Sequence, residues 1–143
     1  MRALLDVNVL IALLDGGHLH HRAATAWLES NESAGWASCP LTQNGCLRIL
    51  SLPGYANPHT PAAVAQRLAA AVSHTSHEFW PDSFSLLEAG QLRWDRVLTS
   101  RRITDAYLLA LAVLRRGRLV TFDRAISVDA VAGASRRHML VLS

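Results

Sequence analysis

Short apolar runs alternate with polar punctuation along this chain, and the run lengths predict its elements. Ala3-Leu4-Leu5 stops at Asp6, and a second run, Val9 to Leu14, follows at once. The first has the length and punctuation of a buried strand. The second is longer and flows into polar residues without a hairpin signal, so it reads as a helix. Asp15-Gly16-Gly17 ends that helix, and a further helix over about 21–30 puts a Trp27-Leu28 edge against the expected sheet. Residues 36–39 read as a short strand, and Pro40 suits the first turn of the next helix. Over 41–52, Leu47, Leu50 and either Leu41 or Cys46 form an apolar stripe, with Gln43, Asn44 and Arg48 as polar members. Gly45 costs that helix roughly 1 kcal/mol relative to alanine, which points to close packing against a neighbour such as another backbone. Thr60 and Pro61 open an amphipathic helix in which Val64, Leu68 and Val72 recur every four residues. His77 to Trp80 reads as extended and 84–88 as a short turn, while 89–100 carries no pattern that places it.

The most informative unit is Ile103 to Ile126. Thr104 is a cap candidate, and Asp105 falls in the first helical turn, where negative charge meets the helix dipole favourably. Leu108, Leu109, Ala112 and Val113 predict the buried face; Arg115 and Arg116 suit the last turn, and Gly117 the stop. Arg118 to Phe122 is a strand ending at Asp123, and Met139 to Leu142 a last strand. Asp6 and Asp123 thus each end an apolar strand, and Asp105 begins the helix that feeds the second. If those strands are parallel neighbours, three carboxylates converge at the carboxyl edge of one sheet, where open α/β sheets bind ligands.

Composition narrows the chemistry. The 143 residues suit a single domain over 1–143 with a real core. No apolar run reaches the ~18 residues of a membrane span, and no leader pattern is visible, so a cytoplasmic protein with no membrane partner is expected. Cys39 and Cys46 fit neither a disulfide framework nor a zinc motif and read as small buried residues. All 14 basic residues are arginine, which excludes lysine-dependent chemistry such as P-loop or Schiff-base catalysis. Ten of the 14 lie between Arg93 and Arg137, which favours a polyanionic or acidic partner. His18, His20 and His21 invite a metal reading, but the simpler one is the polar, exposed start of a helix. Three converging carboxylates repel one another unless a divalent cation neutralises them. Their oxygens suit Mg²⁺ or Mn²⁺ rather than zinc, and such a site supports phosphodiester hydrolysis by a metal-activated water.

At these residues the chain resembles a known family. LLDVNVLIAL at 4–13, TDAYLLALA at 104–112 and VTFDRAI at 120–126 are similar to the three acidic motifs of PIN-domain ribonucleases, and CPLTQNGCLRIL at 39–50 to the motif between them. The nearest likeness is to VapC-type toxins of bacterial toxin–antitoxin pairs, a mycobacterial-looking subgroup. The resemblance implies a PIN-like three-layer α/β/α sandwich with a central, mainly parallel sheet. It implies a Mg²⁺- or Mn²⁺-dependent endoribonuclease acting on RNA, a homodimer, and a VapB-type antitoxin that fills the active-site groove. It makes Asp6, Asp105 and Asp123 metal ligands and gives Asn8 the task of holding the first Asp or its waters. The family's usual glutamate on the second motif aligns with Gln43, which contributes no charge and puts a second metal position in question. Arg101 and Arg102, just before the Asp105 turn, are the arginines expected on the RNA backbone. A second reading, resting on neutral Gln43, is a PIN fold that binds RNA or antitoxin without cutting. A phosphatase of the haloacid dehalogenase type, faintly resembled by Asp6-Val7-Asn8-Val9, needs a second Asp at Asn8 and a lysine the chain lacks.

Overall fold

Successive side chains of a strand face opposite ways, and this sorts the short strands between two cores. The computed structural model describes residues 1–143. Its strands are β1 (Ala3–Leu5), β2 (Trp36–Ser38), β3 (His77–Phe79), β4 (Arg118–Thr121) and β5 (Met139–Val141). They lie in the order β3-β2-β1-β4-β5, and every neighbouring pair is parallel. Leu4, Ala37 and Leu119 face one core; Ala3, Leu5, Trp36 and Val120 face the other. Strands buried on both faces have no polar alternation, which is why they read as continuous apolar runs.

The second core is covered by α1 (Val7–Leu14), α2 (His21–Asn31), α3 (Pro40–Leu50) and α4 (Pro61–Val72). The first is covered by α5 (Ile103–Leu114), with Trp80, Leu92 and the Ile126–Val131 segment packed around it. This is the expected three-layer sandwich, with the sheet parallel throughout. Pro40 and Pro61 stand at the first turns of α3 and α4, and the Thr60 hydroxyl caps α4 by accepting from Ala63 N.

Several expectations change. Helix α5 is buried on all sides from Ala106 to Ala112, not along one face. The sheet takes one side and the loops take the other; Phe84 stacks on Tyr107 at 4.5 Å. Arg116, not Gly117, takes the left-handed conformation (φ 57°) that ends this helix. Gly117 is needed for space instead. A Cβ there would stand 2.5 Å from the Arg2 carbonyl oxygen and 2.7 Å from the Trp80 ring. Gly45 also serves a close approach, but its neighbour is a side chain rather than a backbone. A Cβ at Gly45 would stand 2.8 Å from a methyl of Val7 on α1. Trp27 and Leu28 do pack on the sheet-facing core, while Ala24 is the fully buried residue of α2. The two cysteines are free and buried, one in each core.

Candidate active site

The chain leaves β1 towards β2 and later returns to β4 on the other side of β1. The loops after β1 and β4 therefore part, and the crevice between them is where parallel sheets place ligands. Asp6 follows β1, and Thr121 and Asp123 close β4. Asp105 reaches the same place from the first turn of α5.

Asp6 is the N-cap of α1 and is only 7% exposed. Its Oδ1 accepts from Val7 N at 2.8 Å and its Oδ2 accepts from the Thr121 hydroxyl at 2.6 Å. Thr121 Oγ1 in turn accepts from Asp123 N at 3.0 Å. One buried hydroxyl thus sets the first carboxylate and the turn that carries the third. Thr121 was not singled out by the sequence. The available signal was its place: a polar residue at the end of a buried strand, two before Asp123.

The three carboxylates feel each other. Burial raises Asp6 above the ordinary carboxylate range, and the Asp123 charge adds to this against the hydrogen bonds from Thr121 and Val7. Asp105 is pushed up to about 6, first by burial and then by the Asp6 charge. Asp123 is held low by the Ala125 backbone N–H, which donates to Oδ1 at 2.8 Å, and then by Arg102.

Arg102 is the cation among them. A single nitrogen, Nη1, donates to Asp123 Oδ2 at 2.7 Å and to Asp105 Oδ2 at 3.0 Å. A 3₁₀ turn over Ser100–Arg102 runs directly into α5, which places Arg102 at the helix's N-cap position. Thr104, expected as the cap, is one residue inside the helix and exposed. Arg101 points to solvent.

Asn8 makes a contact other than the expected one. Its Oδ1 accepts from Phe122 N at 3.4 Å, so it ties α1 to the residue before Asp123 rather than to Asp6. Gln43 turns towards β2: its Nε2 donates to Ser38 Oγ at 3.0 Å, and Ser38 Oγ lies 2.8 Å from His77 Nε2. His18, His20 and His21 are all half-buried rather than exposed, and each has a partner inside the protein. His18 accepts from His20 N, His20 stacks on Phe122 at 4.6 Å, and His21 Nδ1 meets the Ala12 carbonyl at 2.7 Å.

The donor set consists of carboxylate oxygens and suits a hard divalent cation. As the side chains stand, no three acidic, histidine or cysteine groups converge as a metal cluster. Two of the three aspartates are tied to Arg102, and both oxygens of the third are occupied by hydrogen bonds.

An all-parallel sheet with an acidic crevice between β1 and β4 defines a class of α/β protein, and the sequence comparison gives that class its family. The PIN domain model matches residues 3–132, and the chain belongs to the PIN-domain family. Within that family it stands with the VapC proteins. It is 47% identical to Ribonuclease VapC44 of Mycobacterium tuberculosis over 142 residues, covering 99% of this chain and 100% of that protein. The fold is also that of VapBC2 from Rickettsia felis, solved bound to a promoter DNA fragment (TM-score 0.66, 13% identity, 100% of both chains). It is shared again by Mycobacterium tuberculosis VapC20, described as a sarcin-ricin loop cleaving toxin (TM-score 0.63, 17% identity, 92% of this chain and 98% of that one).

Proposed function

We propose that this chain, acting over 1–143 as one PIN domain, is the ribonuclease toxin of a VapBC-type pair and hydrolyses phosphodiester bonds in RNA. The observation that carries the reading is Arg102 bridging Asp105 and Asp123, with Asp6 and Asp105 both raised first by burial and further by a neighbouring carboxylate's charge. A protein core retains such a cluster when something positive is meant to enter it. The names of the VapC relatives support RNA as the substrate.

In this reading Asp6, Asp105 and Asp123 hold a divalent cation, Mg²⁺ or Mn²⁺. When bound, that ion supplies an activated water and charge stabilisation for the leaving oxygen. The chain's own residues set the stage. Thr121 and the α1 N-terminus fix the Asp6 carboxylate through both of its oxygens. Asn8 and Thr121 hold the 121–123 turn from two sides. Arg101, exposed and adjacent to Arg102 in the chain, would meet an RNA phosphate in this reading. An antitoxin partner is supported by the toxin–antitoxin structures that share the fold. A homodimer and a cytoplasmic location belong to the same proposal and rest on the family likeness alone. No helix is long and apolar enough to cross a membrane.

The test is cleavage of total bacterial RNA by the purified protein in Mg²⁺, in Mn²⁺ and in EDTA, alongside Asp6→Asn. Metal-dependent cleavage that the variant loses is the expected result. Cleavage equal in the variant and in EDTA sinks the assignment. One observation favours the second reading, a binding module that does not cut: Gln43 brings no charge and is spent on Ser38. Inactivity that Gln43→Glu repairs marks this chain as attenuated. Inactivity of both proteins, with RNA still bound, selects the binding module.

A further inference from the structure

We propose that Arg102 is a built-in counter-cation of the carboxylate cluster, holding the place that a divalent cation takes and yielding it when the ion binds. The inference rests on the proposed metal site and concerns what fills it beforehand. The geometry is unusual for a surface ion pair. One nitrogen, Nη1, bridges oxygens of Asp105 and Asp123, which come from different elements, at 3.0 and 2.7 Å. Arginine more often meets a single carboxylate through two nitrogens. A lone positive centre shared between two carboxylate oxygens is the arrangement a metal ion adopts.

Without a cation, the cluster is costly. Asp6 is buried, the Asp105 side chain is 16% exposed, and their like charges repel. The Arg102 side chain, 27% exposed, supplies one positive charge from a turn that cannot drift far, because α5 begins at the next residue. It also has somewhere to go. Its side chain lines a cavity of about 260 Å³ that extends from Asp105 past Ala106 and Ile126 to Leu98 and Thr99. A guanidinium displaced from the carboxylates can turn into that space and keep its charge beside the site. The apo protein would thereby stay folded and silent, and metal affinity would be set by the exchange of one cation for another.

The test uses the full chain and Arg102→Gln, which keeps a polar side chain and removes the charge. Mn²⁺ binding is measured by titration calorimetry, and melting is followed in EDTA and in Mg²⁺. The expected result is Mn²⁺ binding about tenfold tighter in the variant, a lower melting point in EDTA, and a larger rise on adding Mg²⁺. Unchanged or weaker Mn²⁺ binding by the variant overturns the proposal. If Arg102→Gln does not fold, nitrogen-15 arginine NMR on the wild type decides. Release of one protected guanidinium signal on adding Mg²⁺ is expected, and a signal that stays protected at saturation overturns the proposal. Wild-type RNA cleavage separates the two ideas. A protein that cuts RNA in Mg²⁺ while Arg102→Gln leaves Mn²⁺ affinity untouched sinks the role of Arg102 alone. A wild type that neither binds Mn²⁺ nor cuts sinks both.

Discussion

Two polar clusters sit at the carboxyl ends of adjacent parts of one sheet. Beyond β1 and β4 lie Asp6, Thr121, Asp123 and Asp105, with Arg102 among them. At the end of β2 lie Ser38, Gln43 and His77, joined by hydrogen bonds and neutral; burial holds His77 below its usual value. Both clusters are partly buried and internally bonded. They differ in charge balance: three carboxylates against one arginine on one side, and nothing to neutralise on the other. A place at a strand end is therefore not what makes a site. Charge left over after every local partner is counted points to an incoming ligand.

The largest effect should come from breaking the charged cluster. Asp6→Asn or Asp105→Asn is expected to lower Mg²⁺-dependent RNA cleavage by more than about 100-fold, measured against wild type at equal folded concentration. Thr121→Val comes next. It removes the hydroxyl shared by Asp6 and Asp123 and should cost roughly 1–3 kcal/mol in chemical denaturation, with cleavage down about 10–100-fold through the misplaced carboxylate. The same kind of change at Ser38, to Ala, should leave cleavage within about threefold, because its partners are neutral. Equal losses at the two positions would erase the distinction.

The acid limb gives a subtler test. Asp105 has a native pKa of about 6, above its unfolded value, so between about pH 4 and 6 the native state binds more protons. Stability of the metal-free protein should therefore fall as pH rises through that window and level off above it, by roughly 1–3 kcal/mol. Asp6, also raised, acts in the same sense. Asp123 is depressed, so its contribution is lost only at lower pH, as its native carboxylate protonates. Melting curves of wild type and Asp105→Asn across pH 4–7 check this; the variant should lose most of the slope. The smallest effect is expected from Gln43→Glu. Its donor bond to Ser38 is lost, yet a serine hydroxyl can turn to donate instead. Cleavage within about threefold of wild type is the outcome if the Asp cluster suffices.

Much of this was readable from run lengths. An apolar run of three stopped by Asp6, and another stopped by Asp123, mark two buried strands and their carboxyl ends. The Asp105 turn was legible because an acidic residue suits the start of a helix. What escaped was what needs distance. Arg102 and Asp105 are three apart and visible as a helical pair, but Asp123 joins them only in three dimensions. The Gln43–Ser38–His77 network draws on α3, β2 and β3 and has no sequence period. Gly117 misled for a different reason. Glycine after a helix usually supplies a left-handed turn, whereas here Arg116 makes the turn and Gly117 makes room for Arg2.

The bond from Thr121 to Asp6 joins residues 115 apart in sequence. β1 is central in the sheet, yet one of its two partners, β4, is made only long afterwards, with Ala3 in register with Arg118. Parallel pairing at such separation closes a long loop before any contact rewards it, which slows folding. On the ribosome, a chain that already displays Asp6 still lacks the hydroxyl that orients it and the strand that shields it. The acidic crevice thus takes shape only once β4 has been made, long after Asp6 itself has appeared.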